Sequence, residues 1–486
     1  MRENNSQLSP KTQSNFNIFG VFCGYYEQGM SKMEKISSKK LVEILQSKSQ
    51  PLEVTVSEVV TDSRIVKEGD LFIALKGDKF DAHDFVPQVM ANGAALAVVE
   101  HLVAGVPENK QIVVESTVHA FGQIGAYNRS LFKGKVIGLT GSAGKTTTKE
   151  EIKFLLSLFG KTYATTGNHN NQIGVPRSLC DIDMSADFAV IEMGMSAKGE
   201  IERLVSYVQP DMAVVTNVYP MHIEFFPNFE AIAEAKAEIF TALKPHAPAL
   251  INEDTNFANI LRLRAQQRMA KVYGFGKYEL FGGQGATYKA NIQGTPVEFS
   301  LSDNAEHYLY NALCALNVVA LLGLDVKKAA AEVKNFGALA GRGKVSRLKF
   351  GGGYFELVDD SYSGQPEAMK LAIKSLDSMP CQGRKIAVLG KMAELGDTSE
   401  AQHIAVGKVL ADTKIDIVIG VCPETKKILE QLKDGRQTFY FENKDGLTDF
   451  LLNKLLQNND IVLIKGARYS SKLYQVADDL LKQGNQ

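Results

Sequence analysis

Val136-Ile137-Gly138-Leu139-Thr140-Gly141-Ser142-Ala143-Gly144-Lys145-Thr146-Thr147-Thr148 is an apolar run that feeds a small-residue loop ending in Gly-Lys-Thr. The pattern predicts a β-strand, then a loop whose glycines let backbone N–H groups converge on phosphate oxygens. A helix opening near Thr146 follows, its positive end toward the ligand. In that arrangement Lys145 reaches the β- and γ-phosphates and the Thr146 hydroxyl ligates Mg²⁺. The first glycine of the general phosphate-loop spacing would fall at residue 139, which is Leu139. Gly141 to Thr146 instead make the shorter Gly-x-x-Gly-Lys-Thr form. A bare Gly-Lys-Thr is often only a turn. The β-branched strand before it and the helical pattern Lys149-Glu150-Glu151-Ile152-Lys153-Phe154-Leu155-Leu156 after it favour the phosphate cradle.

The chain around this loop has 486 residues, enough for about three domains, and 45% of them are apolar, enough for ordinary cores. Lys and Arg total 54 against 55 Asp and Glu, so no net basic field draws nucleic acid or an anionic membrane, and phosphate binding must be local. The five cysteines, at 23, 180, 314, 381 and 422, form no C-x-x-C pair and suit a reduced cytoplasm. The longest apolar stretch, Ala312 to Leu324, is interrupted by Asn317 and Gly323 and reads as a buried helix, well short of the roughly 20 residues of a bilayer span. Residues 1–32 read as a disordered or non-native leader, polar from Arg2 to Asn15 and aromatic and Gly-rich from Phe16 to Tyr26, before a start near Met30 or Met33.

Three domains are expected at 33–133, 134–344 and 345–486. In the first, a helix carries Leu41, Ile44 and Leu45. A strand-like Val54-Thr55-Val56 leads to the turn Thr61-Asp62-Ser63-Arg64, then to a strand over Asp70 to Gly77, the loop Asp81-Ala82-His83-Asp84, a helix to Asn92-Gly93 and a strand Ala95 to Val99. Ser63 and Arg64 could equally cap and pair locally, and His83 could be structural or functional. From Lys133 to about Gly343, short β runs (Val136-Ile137, Phe188 to Ile191, Met212 to Val215, Ala249 to Ile251) alternate with helices, the signature of a mostly parallel sheet. Polar residues stand at its strand ends: Glu192, Thr216-Asn217 and, a few residues on, His222. Ligands of open α/β sheets lie outside those ends, so Glu192 and His222 with Thr146 offer a hard cation a carboxylate, an imidazole and a hydroxyl. After Gly341-Arg342-Gly343 a hairpin at Arg347 to Gly353 opens a second doubly wound sheet with strands Phe355 to Val358, Ile386 to Leu389, Ile415 to Ile419 and Ile461 to Ile464. It has no G-x-G-x-x-G after its first strand, which argues against a dinucleotide site.

Taken in order, these motifs resemble the Mur ligases of peptidoglycan synthesis over roughly residues 34 to 486. Within them they are most similar to the branch that adds D-alanyl-D-alanine to UDP-N-acetylmuramoyl-tripeptide. The resemblance rests on Thr61 to Arg64 with Gly69 to Leu75, and on Thr140 to Glu150. It rests further on Thr166-Gly167-Asn168-His169-Asn170-Asn171-Gln172-Ile173-Gly174-Val175-Pro176, on Glu192-Met193-Gly194, on Thr216-Asn217 with His222-Ile223-Glu224, and on Ala235-Lys236-Ala237-Glu238. Asn311 in an Ala-rich helix, Asp359-Asp360-Ser361-Tyr362 with Pro366, and Ala393-Glu394-Leu395-Gly396 complete it.

The family likeness implies a small N-terminal α/β substrate domain, a central P-loop parallel-sheet ATPase domain and a C-terminal doubly wound, Rossmann-like domain. It implies an ATP-dependent, ADP-forming amide ligase working through an acyl phosphate. Gly141, Ser142, Ala143, Gly144, Lys145, Thr146, Thr147, Asn311, Arg342 and Asp360 would hold the nucleotide; Thr146, Glu192, His222 and Lys236 would hold Mg²⁺; and Lys236 would be carbamylated. Lys145, Lys236 and His222 would be the catalytic set, with Ser63, Arg64, Asn170 and Asn171 on the UDP-linked substrate. A cytoplasmic monomer, without nucleic acid or integral membrane association, is expected. Departures from the family pattern fall on nucleotide-side and third-domain contacts: Tyr362-Ser363-Gly364-Gln365-Pro366, Ala305-Glu306-His307-Tyr308, Lys391, Gln172 and Lys465-Gly466-Ala467-Arg468-Tyr469. Two alternatives stay open, a non-catalytic nucleotide- or UDP-sugar-binding paralogue and a folylpolyglutamate-type ligase of the same architecture.

Overall fold

The computed structural model describes residues 33–56, 58–77, 80–219, 225–302, 306–351, 353–432 and 435–484. The expected leader, residues 1–32, and His222 lie outside the described residues. The chain forms two compact units, one running to Lys133 and including Gln172–Met184, the other made of Gly134–Asn171 and Ser185–Gln486.

The first unit is built on a four-stranded parallel sheet in the order β1 (Val59–Val60), β2 (Leu71–Ile73), β3 (Leu96–Val99), β4 (Gln111–Val113). Both faces are covered, so its strands are apolar throughout rather than alternating. Leu71, Ile73, Leu96 and Val98 pack with helices α1 (Ser38–Leu45) and α3 (Thr117–Leu131), while Phe72, Ala97 and Val99 pack with α2 (Val86–Ala91). Ser37 and Ser116 cap α1 and α3 through their hydroxyls. The expected strand Asp70 to Gly77 is shorter, because the chain leaves the sheet after Ile73 and Lys76–Gly77 pairs antiparallel with Phe80–Asp81.

Residues 172–184 lie inside the span expected for the central domain, yet pack with this first unit. Their short helix Gly174–Cys180 is tied down by Asn128, whose Nδ2 donates to the Leu179 and Cys180 carbonyls at 2.8 and 3.2 Å. Arg177, buried, donates to the Val59 carbonyl at 2.6 Å and to Asp181 at 2.8 Å.

The second unit holds two six-stranded sheets. The first runs β6 (Thr162–Ala164), β7 (Phe188–Glu192), β5 (Lys135–Thr140), β8 (Met212–Val215), β9 (Pro248–Asn252), β10 (Lys271–Phe275), all parallel. Helix α4 (Lys145–Leu156) follows β5, α5 (Phe229–Ala237) follows β8, and α6 (Glu306–Leu321) is the buried apolar helix expected over Ala312 to Leu324. A three-stranded antiparallel sheet, β11 (Leu280–Gln284), β12 (Thr287–Ile292) and β13 (Thr295–Ser300), was not expected. Glycines at 282 and 283 and an exposed first strand leave its hydrophobic period weak.

The second six-stranded sheet runs β14 (Lys344–Phe350), β15 (Gly353–Asp360), β19 (Asp460–Lys465), β16 (Lys385–Gly390), β17 (Ile417–Val421), β18 (Gln437–Phe441), with only β14 antiparallel. β17 begins at Ile417, two residues later than the expected Ile415. Among the described residues no helix is long and apolar enough to cross a membrane.

Candidate active site

The phosphate loop joins β5 to α4, and the helix opens at Lys145, one residue before the expected Thr146. Gly144 is its N-cap, with a φ of 74° that disfavours any residue with a Cβ. Gly141 is required for another reason: a Cβ there would overlap the Thr216 hydroxyl. The strand-end pair Thr216-Asn217 braces the loop. Ser142 N donates to the Asn217 carbonyl at 3.0 Å and Ala143 N to Asn217 Oδ1 at 2.8 Å, while Asn217 Nδ2 and the Thr216 hydroxyl donate back to the Ala143 carbonyl at 2.9 and 3.0 Å. Ser142 Oγ bridges the Tyr219 backbone, donating to its carbonyl and accepting from its N–H. The N–H groups of Lys145, Thr146 and Thr147, in the first helical turn, have no intrahelical acceptor and are the natural phosphate donors.

Lys145 Nζ folds back onto the carbonyls of Gly141 and Ser142, at 2.8 and 3.3 Å. Burial holds its ammonium pKa below the ordinary lysine value, against the charges of Glu192 and Glu394 and with that of Arg342. The Thr146 hydroxyl accepts from Arg342 Nη2 at 2.9 Å, and the Arg342 guanidinium lies 4.1 Å from the Tyr362 ring centroid. Asn311, on α6, accepts from the Thr148 hydroxyl at 2.9 Å, and its buried Nδ2 has no hydrogen-bond partner. An unsatisfied buried donor beside a phosphate loop calls for a ligand acceptor.

Glu192, at the end of β7, is fully buried. Its Oε1 accepts from Asn170 Nδ2 at 2.7 Å, while Oε2 has no hydrogen-bond partner. Lys236, on α5, is also buried; burial first, and the Lys145 charge second, hold its pKa well below 10.5. A deprotonated amine is the form that can add carbon dioxide to give a carbamate. An orphaned carboxylate oxygen and a threonine hydroxyl are oxygen donors of the kind a hard divalent cation takes, and a carbamate on Lys236 would add another.

Asp360 ends β15 and pairs with the buried Lys465 at 2.8 Å. Lys465 also donates to the Ser363 carbonyl at 2.8 Å. Lys391 pairs with Glu424, where burial would raise the carboxyl pKa but the lysine's hydrogen bond and charge hold it below 4.5. In the first unit Arg64 chelates Asp62, its Nε at 2.9 Å, on the expected turn with Ser63. His83 is buried and held by its neighbours: Nδ1 bonds Asp81 and Nε2 accepts from Glu100 N at 2.8 Å. The structure thus gathers Gly141 to Thr147, Glu192, Asn311 and Arg342, and spends Asn170 on Glu192; Asn171 is exposed. Sequence reasoning missed Tyr362 as a platform for Arg342. It also missed Lys149, whose buried ammonium clips the Thr165 and Gly167 carbonyls at 2.5 and 3.0 Å. The signal for Lys149 was a lysine on the buried face of α4.

Residues 139–319 match the family described as Mur ligase middle domain, residues 343–468 the Mur ligase glutamate ligase domain, and residues 55–127 the Mur ligase family catalytic domain. The UDP-N-acetylmuramoyl-tripeptide--D-alanyl-D-alanine ligase of Escherichia coli K12 is 34% identical over 465 residues, covering 93% of this chain and all of that protein. The chain belongs to the Mur ligase family. The Bacillus subtilis protein of the same name is 32% identical over 88% of this chain and 94% of its own length. Among solved structures, MurF from Acinetobacter baumannii superposes with a TM-score of 0.83 at 30% identity, over 93% of this chain and 99% of that one. MurF from Thermotoga maritima in complex with ADP gives 0.74 at 29%, over 88% and 98%. The three-domain α/β expectation is therefore met.

Proposed function

We propose that the chain is an ATP-dependent, ADP-forming ligase that adds D-alanyl-D-alanine to UDP-N-acetylmuramoyl-tripeptide in peptidoglycan synthesis, as a cytoplasmic monomer. The observation that carries this reading is the braced loop around Lys145, with the charge of Glu192 acting on that lysine and one Glu192 oxygen buried without a partner, in a chain whose relatives bear that name. The free thiols of Cys180, Cys314, Cys381 and Cys422 suit a reducing compartment.

The mechanism follows from the residues. ATP enters with its phosphates over the first turn of α4, and Lys145 exchanges the Gly141 and Ser142 carbonyls for phosphate oxygens. Arg342, fixed on Tyr362, adds a second positive charge there, and Asn311 Nδ2 gains its acceptor. Thr146, Glu192, carbamylated Lys236 and His222 would hold Mg²⁺, which supplies neutralisation of the phosphate charge. A terminal carboxylate oxygen of the UDP-linked peptide, whose nucleotide end Ser63 and Arg64 would hold with Asn171 on the substrate side, attacks the γ-phosphorus. The bond to the β-phosphate oxygen breaks, giving an acyl phosphate and ADP. The dipeptide amine then attacks the acyl carbon, and the tetrahedral intermediate collapses with loss of phosphate and a proton. Asp360 would touch the ribose or phosphates. Positioning and charge neutralisation are most of what phosphoryl transfer requires.

The test is phosphate release with ATP, the UDP-tripeptide and D-alanyl-D-alanine, omitting each in turn. Release that requires all three is expected. Tight ATP binding without release would replace the ligase with a non-catalytic paralogue.

A further inference from the structure

We infer that Asn170 is a positioning residue that fixes the orientation of the Glu192 carboxylate, holding one oxygen and leaving the other for the phosphate site. This deepens the reading above and rests on it, since it assigns Asn170 to the cation carboxylate and not to the UDP-linked substrate. A carboxylate at a strand end can rotate about its last bond, and because its two oxygens are equivalent, what a partner can fix is the plane in which they lie. Here Asn170 Nδ2 holds Oε1 at 2.7 Å, and Oε2 is left buried with no hydrogen-bond partner. The amide must face the carboxylate with its nitrogen, because its oxygen would repel it.

The loop carrying Asn170 is pinned on three sides. Lys149 clips the Thr165 and Gly167 carbonyls to α4, the Thr165 hydroxyl accepts from Glu192 N at 3.1 Å, and Gly194 N donates to the Asn170 carbonyl at 2.7 Å. Gly194 also makes room for the amide: a Cβ there would lie 2.9 Å from Asn170 Oδ1 and 3.0 Å from Cγ. The glycine two residues after Glu192 thus serves the carboxylate through Asn170. Partners that orient a metal's carboxylate in this way commonly change metal affinity when removed, while the ligand itself stays in place.

The experiment uses the full chain with Mn²⁺ and a non-hydrolysable β,γ-methylene ATP, reading free Mn²⁺ by electron paramagnetic resonance. N170A is expected to weaken Mn²⁺ binding by roughly 10- to 100-fold. G194A, which displaces the amide without removing it, is expected to weaken it less, in the same direction. Both should keep the wild-type far-ultraviolet circular dichroism and the wild-type KM for the UDP-tripeptide. Unchanged Mn²⁺ affinity in N170A, or a raised KM for the UDP-tripeptide with unchanged Mn²⁺ affinity, overturns the inference and returns Asn170 to the substrate. Absence of nucleotide-dependent Mn²⁺ binding in the wild type would instead sink the cation reading itself, and this inference with it.

Discussion

The two six-stranded sheets of the second unit share a doubly wound plan, yet they use the carboxyl ends of their strands differently. At the end of β5 the chain turns through a glycine loop into a twelve-residue helix, and the groups there are left wanting partners: Glu192 Oε2, Asn311 Nδ2 and the first-turn N–H groups of α4. At the ends of β15, β16 and β19 the charged groups pair with one another, as Asp360 with Lys465 and Lys391 with Glu424 Oε1, although Glu424 Oε2, the Tyr362 hydroxyl and Gln365 Oε1 stay buried without a hydrogen-bond partner. One sheet edge is organised to receive charge; at the other the charges are already paired, and what remains open is mostly uncharged. The difference lies in the loops, not in the architecture.

That contrast can be broken most severely at the receiving edge. Lys145→Ala should abolish ADP formation, a loss of at least ~10³-fold in kcat, because it removes the charge aimed at the transferred phosphate. Gly141→Ala should raise the KM for ATP by about 10-fold or more, since the Cβ displaces Thr216 and unseats the Asn217 brace; a wild-type KM would show that the brace is dispensable.

Acidity should also separate the two regions. Burial raises the carboxyl of Glu151, on α4, to about 8 and that of Glu279 to about 7, whereas Glu424 in the third domain lies below its ordinary value. Between 4.5 and about 8 the native Glu151 keeps a proton that the unfolded chain has released. Its stabilisation is therefore complete below 4.5 and is lost as pH rises through 8. Denaturant unfolding should show stability falling by about 5 kcal/mol across that window from Glu151, and Glu151→Gln should remove that part of the fall, leaving the smaller slope from Glu279. The mildest expected effect is at the edge of paired charges. Asp360→Asn leaves the buried Lys465 with carbonyl partners and should destabilise the chain by about 1–2 kcal/mol, with a severalfold rise in the KM for ATP.

The glycine loop and Glu192 were legible in the sequence as strand-end signals, whereas Asn311 and Arg342 came only with the family resemblance. A glycine loop after a β-branched run and a glutamate closing a strand announce themselves locally. Asn170 was found but given a different task, since nothing in its neighbourhood shows that its amide reaches across to Glu192, 22 positions away. Tyr362 under Arg342, and Lys465 against Asp360, likewise arise from strands brought side by side. The three-stranded sheet escaped because its glycines and exposed residues blur the alternation on which strand reading depends.

The short helix Gly174–Cys180 has a consequence for how the polypeptide is made. Its Arg177 supplies a buried bond to Val59, and Asn128 waits for carbonyls of residues 179 and 180. A ribosome delivers the chain from the amino end, so the first unit stays incomplete until Met184 has emerged. By then β5, α4 and β6 have already been synthesised. The first unit therefore cannot close ahead of the phosphate loop, and truncation at Lys133 should yield a fragment with an exposed apolar seam along α3, prone to aggregate.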